Sequence, residues 1–448
     1  MGYEEERDTY ATICYIAPSP LYYFVLNTLR FSMSASWITG LFLFFFVFST
    51  GLQLYLSIRQ SRAVLQHRAE VPVDFVAAVS LAEHQKAADY ALAKQRLARW
   101  RVLFDALFLL VLTLGGGLNV LAALAGKWSA SPLTQGVLLI GLFGVVSSVL
   151  SLPMEWYHTF RLEARFGFNQ TTMATFISDR IKGAILAMVI GVPLMYGVIY
   201  LMGIGGTLWW LWVWLFWLGF SLLLLWAFPK WIAPWFNQFK PLEDADLHTR
   251  IEQLLTRTGF KSKGIFVMDG SKRSGHANAY FTGLGDNKRI VFFDTLLKDM
   301  QPAEVEAVLA HELGHFKHQH IQQQMGVRFA LTLAVLCILG LLIQEPAFYQ
   351  GLGVQYASHA MALLLFLLVL PVFTLPFAPL ASLMSRQNEF EADRFAAQHA
   401  SADDLIRALV KLYRSNATSL VNDVWYSRFY DSHPHARERI AALRQSHG

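Results

Sequence analysis

The sequence predicts an all-α polytopic membrane protein with a small α+β domain outside the bilayer. Of its 448 residues, 54% are hydrophobic and only 15% are charged, and the mean hydropathy is +0.37. Seven apolar stretches are each long enough to cross a bilayer, whereas short β patterns gather between the fifth stretch and the sixth. This distribution excludes an ordinary soluble protein of two or three domains.

The predicted membrane spans are separated by loops of uneven charge. The first two spans flank residues 59–101, which hold eight Lys and Arg residues. By the positive-inside rule this loop is cytoplasmic, the N-terminus lies on the opposite side, and residues 229–324 and the C-terminal tail face the cytoplasm. The sixth span carries Arg328 near its start, so a buried core helix is the alternative there. The spans are residues 37–58, 102–125, 133–154, 184–202, 208–228, 325–343 and 360–384.

Charge and cysteine content argue against nucleic-acid binding and against disulfide or thiolate metal sites. The net charge of +5 is concentrated in particular loops, so it indicates membrane topology and not nucleic-acid binding. Cys337 lies in the sixth span and Cys14 near the start, so neither a disulfide framework nor a thiolate metal site is expected. The predicted division is an N-terminal tail without assigned function (1–34), spans one to five (35–230), a cytoplasmic segment (231–324), spans six and seven (325–384) and a cytoplasmic C-terminal segment (385–448).

The clearest chemical signal is the pentad HELGH at residues 311–315, which lies in a helical pattern. Residues four apart share one face of a helix, so His311 and His315 can bind one metal ion. Two neutral imidazoles beside a carboxylate, Glu312, are typical of a zinc site that keeps one position open for water, which the carboxylate deprotonates. Gly314 favours the close approach of another backbone. The pattern predicts a zinc hydrolase.

The third protein ligand must come from elsewhere in the chain. A metzincin would need a histidine six residues after His315, where Ile321 stands. We therefore interpret His318 and His320 as solvated or supporting residues and not as ligands.

The polar sequence after the seventh span is the best source of that ligand. Spans six and seven form a hairpin, so their cytoplasmic ends meet and residues 385–393 come near the pentad. Glu389 is favoured as the third ligand over Glu391, and Asp393, four residues on, accepts the free ring N–H of a ligand histidine. A solvated acidic cap below a membrane helix is the alternative.

Three short β patterns precede the pentad, at residues 265–268, 276–284 and 289–293, with a hairpin turn at 285–288. They predict a small antiparallel sheet. In zinc proteases an edge strand often holds the substrate backbone, so Asn278 and Ala279 are predicted to contact a peptide. For Asn278 the alternative is that its side chain only satisfies a turn.

Close to the C-terminus, His433 and Arg439 lie in a basic segment. Such side chains can stabilise the oxyanion that forms when water attacks an amide. A solvated basic helix start is the alternative from the residues alone.

These motifs together resemble the type I CAAX prenyl endoproteases, which are integral-membrane zinc metalloproteases. The resemblance extends over most of residues 60–445 and departs at His435, which stands where a second proline is usual after His433 and Pro434. It implies seven membrane helices around a water-filled chamber, a gluzincin-like domain on the cytoplasmic side, Glu389 as third ligand, and Asp393 beside a ligand histidine. The matching runs are residues 165–172, 236–239, 241–242, 272–283, 289–297, 311–315 and 389–393.

The resemblance also implies an activity. Members of the family remove the last three residues from proteins with a prenylated C-terminal Cys-aliphatic-aliphatic-X motif. We therefore expect one Zn²⁺ per chain, a peptide or protein substrate that carries a C-terminal prenyl group, and a lipid bilayer as the surroundings. The alternatives are a membrane quality-control protease without prenyl preference and a non-catalytic chamber or transporter with a structural metal.

Overall fold

The computed structural model describes residues 34–282 and 289–445. The predicted N-terminal tail, apart from Ser34, and the predicted turn at residues 285–288 lie outside the described residues.

The first half of the described chain is a series of long apolar helices. Three π-helical segments, His158–Glu163, Ala187–Gly191 and Phe228–Ile232, continue α4, α6 and α8 without a break. The helices are α1 (Ala35–Gln66), α2 (Leu81–Leu112), α3 (Gly117–Trp128), α4 (Pro132–Tyr157), α5 (Ala164–Phe166), α6 (Met173–Leu186), α7 (Val192–Ile204), α8 (Trp209–Ala227) and α9 (Ala233–Phe236).

The middle of the chain leaves the helical pattern. It forms β1 (Phe239–Pro241), α10 (Ala245–Thr258), β2 (Ile265–Met268), β3 (Ala279–Thr282), β4 (Arg289–Phe293), α11 (Asp294–Asp299) and α12 (Pro302–Lys317). The last part is helical again, with α13 (His320–Leu342), α14 (Pro346–Gly351), α15 (His359–Thr374), α16 (Ala378–His399), α17 (Ala402–Ser415), α18 (Val424–Tyr430) and α19 (Ala436–Gln445).

Six helical stretches of the described residues are long and apolar enough to cross a membrane, and one bent helix pair makes a seventh. Only 11% of the apolar window in Pro132–Phe166 is buried within the protein, as expected for a surface that lipid covers. The weakest predicted span, which contains Arg328, is one of the six unbroken helices. The seven predicted spans therefore match the seven stretches in place and order.

The second span differs from the prediction because it is broken. Helices α2 and α3 meet at an angle of 58°. Gly116 at the junction has φ of 75°, and a Cβ on Gly115 would lie 2.7 Å from the carbonyl oxygen of Val111. Only glycine tolerates these positions without strain, so the Gly115-Gly116-Gly117 run produces the bend.

The sheet has the strand order β1-β2-β4-β3. Strands β3 and β4 pair antiparallel, with Ala279 opposite Phe292, as predicted. The prediction of a fully antiparallel sheet was wrong, because β2 and β4 are parallel, with Ile265 opposite Ile290. Strand β1, which the sequence analysis missed, pairs antiparallel with β2 and contains Pro241. Such a short strand with proline fits the edge of a sheet, where one N–H needs no partner.

Two apolar cores organise these elements. One lies among the membrane helices and includes Phe42, Leu118 and Leu365, which are 0% exposed. The other joins the sheet to α10, α12 and α17 and includes Ile251 and Phe292, also 0% exposed. Helix α12 belongs to the second core, so the small domain supports the pentad, and α16, the continuation of the last membrane span, packs against it.

Candidate metal centre

Helix α12 places the pentad on a rigid support. It begins with Pro302, whose missing N–H costs nothing at the first helical position. The N-cap residue Gln301 and Glu304 satisfy each other's backbone amides, as in a capping box. Leu309 and Leu313 point into the core and are 1% and 0% exposed. With that face buried, His311 and His315 project from the helix on another face.

Gly314 determines how closely α16 approaches α12. A Cβ on Gly314 would lie 2.8 Å from the Cα of Ala392 and 3.1 Å from its carbonyl oxygen. This confirms the prediction that Gly314 admits another backbone. The contact brings Glu389, one turn before Ala392, against the two histidines.

His311, His315 and Glu389 converge on one point. Their potential ligand atoms all lie within 4.8 Å of one another. Glu389 Oε2 is 3.4 Å from His311 Nε2, Glu389 Oε1 is 3.2 Å from His315 Nε2, and the two Nε2 atoms are 3.2 Å apart. His311 and Glu389 are 7% and 3% exposed, so this cluster is largely shielded from water.

The triad fits a divalent metal ion. Glu389 Oε2 is buried and accepts no hydrogen bond, although Nε2 of His311 and Nη1 of Arg439 each lie 3.4 Å away. A buried carboxylate oxygen without a hydrogen bond is costly. A cation between Glu389 and the two imidazoles would satisfy that oxygen. Two histidines and one carboxylate, with no fourth protein ligand in the cluster that the described residues form, are the donor set of a catalytic zinc site.

Asp393 and Arg439 support His311 from behind. Asp393 Oδ1 lies 2.9 Å from His311 Nδ1, on the ring atom that faces away from Glu389. Arg439 donates to both oxygens of Asp393, at 2.8 and 2.6 Å, and is only 7% exposed. This contact leaves Nε2 of His311 on the side of Glu389. The predicted role of Asp393, to orient a ligand histidine, stays a prediction.

Asp393 and Glu389 together have the largest net effect on the pKa of His311. Burial and the Arg439 charge lower the pKa of His311, but hydrogen bonds to Asp393 and Glu389 outweigh them and raise it to about 9. An imidazole must be neutral at Nε2 to ligate a metal ion, so binding displaces a proton from this cluster.

A second support lies behind His315. Its Nδ1 is 3.0 Å from Nδ1 of His320, and Nε2 of His320 is 3.0 Å from Oε2 of Glu391. The sequence predicts His318 and His320 to be solvated or supporting residues. His320 is 2% exposed, which fits a supporting residue, and His318 is exposed, which fits a solvated one. Glu391, the rival ligand of the sequence analysis, contacts His320 and is absent from the ligand cluster.

Two predicted catalytic groups adjoin the cluster. Glu312 is half-buried, and among the described residues it forms no side-chain hydrogen bond or ion pair. His433 Nε2 lies 3.2 Å from Glu389 Oε1, while 62% of the His433 side chain is exposed. Partial desolvation lowers the pKa of His433 against the opposing effect of Glu389.

Asn278 and Ala279 stand at the start of β3, an edge strand. Asn278 Oδ1 accepts a hydrogen bond from the Ala279 amide at 2.8 Å, and the Asn278 carbonyl accepts one from the amide of Phe293 at 3.0 Å. The side chain of Asn278 therefore shapes its own strand end. The predicted contact with a peptide stays a prediction.

Sequence reasoning missed two features of this centre. One is the pair of charge-assisted hydrogen bonds between Arg439 and Asp393, which lie 46 residues apart. The other is the pair formed by His320 and Glu391, 71 residues apart. Neither has a local sequence signal, because they depend on how α13 and α19 pack against α16.

Comparisons with known proteins agree with this geometry. Residues 60–238 match the family described as CAAX prenyl protease N-terminal, five membrane helices, and residues 241–447 match peptidase family M48. CAAX prenyl protease 1 of Saccharomyces cerevisiae is 35% identical over 334 residues, which are 70% of this chain and 73% of the yeast protein. The chain belongs to the CAAX prenyl protease family of M48 peptidases.

Other members of this family are similar over nearly the whole chain. The human CAAX prenyl protease 1 homolog is 29% identical over 438 residues, or 88% of this chain and 92% of the human protein. A crystal structure of Ste24p from S. mikatae superimposes with a TM-score of 0.85 at 30% identity and covers 91% of this chain and 99% of that protein.

Family membership confirms the predicted resemblance, the helical membrane fold with a small sheet, and the assignment as a metalloendopeptidase. It excludes the alternative of a non-catalytic chamber. The predicted zinc ion, the side of the membrane on which the centre lies and the roles of single residues stay predictions.

Proposed function

We propose that this protein is a zinc endopeptidase that removes the C-terminal tripeptide from prenylated CAAX substrates. The observation that carries the proposal is the convergence of His311, His315 and Glu389, whose buried Oε2 accepts no hydrogen bond, in a chain so similar to CAAX prenyl proteases. Zinc is favoured over other metals because two imidazoles and one carboxylate with an open position are its usual catalytic donor set.

In the proposed mechanism the metal ligands and Glu312 have separate roles. His311, His315 and Glu389 would hold one zinc ion per chain, which would lower the pKa of a bound water molecule to about 7. Glu312 accepts a proton from the attacking water on its free carboxylate and returns it to the nitrogen of the leaving amine. Glu312 is suited to this transfer because no neighbour in the described chain neutralises it.

His433 is the proposed donor to the developing oxyanion. Its Nε2 faces the Glu389 side of the cluster and its ring is largely exposed, so it is accessible to a substrate carbonyl. Arg439 was predicted to share this role, but its contacts favour another one. Because it donates to both oxygens of buried Asp393, we propose that it acts by orienting Asp393 and His311.

The substrate backbone is proposed to lie along β3. Among the described residues this strand pairs only with β4, so its other edge near Asn278 and Ala279 is available to an added strand. An extended peptide that adds to this edge would be held by main-chain hydrogen bonds irrespective of its sequence.

The metal centre is proposed to face the cytoplasm. Helix α12 lies directly before the sixth span, and α16 continues the seventh. With seven spans in alternating directions, these ends lie on the same side of the membrane as the basic segment 59–101. The positive-inside rule assigns that segment to the cytoplasm and the N-terminus to the other side.

The decisive experiment compares two versions of one CAAX-terminated peptide, farnesylated and unmodified, with the purified full-length protein. We expect the tripeptide to be released mainly from the farnesylated peptide, as measured by mass spectrometry. Equal cleavage of both peptides would overturn the prenyl preference and favour a quality-control protease.

Substitutions test the residue roles in the same assay. Glu312→Gln should keep its zinc but lower turnover by at least 100-fold, because the general base is lost. Glu252→Gln, the same change on the exposed face of α10, should retain activity. Wild-type turnover by the zinc-loaded Glu312→Gln variant would remove the proton-transfer role.

A further inference from the structure

A cavity of about 850 Å³ lies outside the metal centre, between α2 and the C-terminal end of α4. It shares no lining residue with the metal ligands or their supports. Four arginines line it, Arg96 and Arg99 from α2 and Arg161 and Arg165 from the segment that continues α4.

The charge in this arginine cavity is largely uncompensated. Asp89 is its only acidic lining residue, and Arg68 already binds Asp89 with two hydrogen bonds of 2.8 Å. Arg96, Arg161 and Arg165 are exposed and have no ion pair with any part of the chain that the structure describes. Arg99 donates hydrogen bonds to Ser57 and Ser61, and Arg165 interacts electrostatically with Asp89. Four arginines therefore line a cavity whose single carboxylate is already paired with Arg68, which favours an anionic ligand.

Two of these guanidinium groups are oriented by aromatic rings. The guanidinium carbon of Arg161 lies 5.6 Å from the ring centre of Trp156, and that of Arg165 lies 5.5 Å from the ring centre of Phe166. A planar guanidinium held against a ring keeps its N–H edge free, and that edge matches the oxygens of a phosphate.

The arginine cavity lies where the apolar parts of two spans end, and this is where hydropathy predicts the membrane surface. The apolar part of α2 begins directly after Arg101, and the apolar part of α4 ends near Met154, which lines the cavity together with Leu97. Trp100 and Tyr157, also in the lining, are 64% and 50% exposed. Aromatic side chains of this kind are typical of the interface between headgroups and acyl chains.

We propose that the arginine cavity binds the headgroup of an anionic phospholipid. A soluble phosphate would use the arginines alone, whereas a lipid also accounts for the apolar and aromatic residues in the same lining. A basic pocket between membrane helices on the side with the positive loops is a typical site for such headgroups. The number of spans puts it on the same side of the membrane as the metal centre.

A bound lipid would also reach the small domain. Phe166 lines the cavity, and Phe168, two residues on, stacks on His276 with 4.2 Å between ring centres. The amide of Gly275 donates to the Phe168 carbonyl at 2.9 Å. Lipid that orders residues 161–166 therefore stabilises the segment leading to β3, and we expect it to raise the temperature of thermal unfolding.

The test titrates the detergent-solubilised full-length protein with dioctanoyl phosphatidylglycerol and measures binding by native mass spectrometry and thermal unfolding. Dioctanoyl phosphatidylcholine and inorganic phosphate are the comparison arms. We expect saturable phosphatidylglycerol binding and, in the Arg161→Gln/Arg165→Gln variant, about 30-fold weaker binding, from the usual contribution of each arginine. The matched control, Lys261→Gln/Arg444→Gln, loses the same charge at two exposed positions outside the cavity and should bind as the wild type does.

Three results would overturn the proposal: equal affinity for phosphatidylcholine, equally tight binding of inorganic phosphate, or unchanged phosphatidylglycerol affinity in the double variant. If the double variant does not fold, the single variant Arg96→Gln tests the site. We expect it to bind phosphatidylglycerol about fivefold more weakly, and an unchanged affinity would contradict the site. Because binding is read without peptide cleavage, the outcome is independent of the proposed protease specificity.

Discussion

Nδ1 of His311 lies 2.9 Å from Oδ1 of Asp393, on the far side of the ring from Glu389. Since Arg439 donates to both Asp393 oxygens, the carboxylate has little freedom to rotate away. The ring of His311 is therefore fixed before any metal binds. A ligand whose orientation is fixed in advance loses less entropy on coordination, which strengthens metal binding.

Asp393→Asn tests this support. The asparagine keeps the size of the side chain but loses the charge that orients His311 and pairs with Arg439, so zinc affinity should fall about 10- to 100-fold. Zinc retained after dialysis against a chelator of known affinity measures the change. Asp403→Asn, at an exposed position of α17, is the control, and equal zinc retention by both variants would contradict the role of Asp393.

His320→Gln tests the support behind His315. The glutamine cannot reproduce the contacts of the buried ring with His315 and Glu391, so the orientation of His315 should loosen and zinc affinity should fall about tenfold. His318→Gln is a matched control, because His318 is exposed and touches the ring of His320 without contacting a ligand. Equal zinc retention by these two variants would show that His320 does not position His315.

Gly314→Ala tests the contact between α12 and α16. The added methyl group would lie 2.8 Å from the Cα of Ala392, so the helices must separate and Glu389 must move from the histidines. We expect a loss of about 1–3 kcal/mol in stability together with a loss of zinc. Gly326→Ala in α13 is the control, because no atom lies within 4 Å of the added Cβ. It should leave zinc content unchanged and stability unchanged or slightly higher. A zinc-replete, fully stable Gly314→Ala variant would contradict this packing.

Hydropathy and periodicity predicted much of this fold because they act locally. A run of apolar residues must either be buried or face lipid, so the seven spans could be located from sequence alone. The pentad could be placed because a helix puts His311 and His315 on one face. Glu389 followed from the hairpin of spans six and seven, which limits what can lie beside α12.

The features that escaped prediction depend on contacts between distant segments. The parallel pairing of β2 with β4 arises because β3 folds back outside β4, which no alternation of residues reveals. The pairing of Arg439 with Asp393 likewise needs α19 to pack beside α16. The bend after α2 was the exception, since its three consecutive glycines were visible in the sequence.

Asp423→Asn tests how the C-terminal segment is attached to the first membrane helix. Asp423 accepts hydrogen bonds from Arg59, at 3.1 and 2.9 Å, and from the amides of Trp425 and Tyr426 that begin α18. Asparagine can still cap the helix but cannot form the ion pair, so at pH 7 we expect a loss of roughly 1 kcal/mol, seen as a lower temperature of thermal unfolding.

The pH dependence separates this ion pair from a packing effect. Burial raises the pKa of Asp423, but the hydrogen bonds from Arg59 and the Tyr426 amide outweigh it and hold the pKa below its usual value. Since the folded pKa is the lower one, the stabilisation is complete above the unfolded value of about 3.9 and disappears as the pH falls through the folded pKa. The wild type and Asp423→Asn should therefore differ most at neutral pH, and the difference should shrink as the pH falls below about 3.9. A difference that persists unchanged at pH 3 would mean that the amide disturbs packing and that the charge of Asp423 contributes nothing.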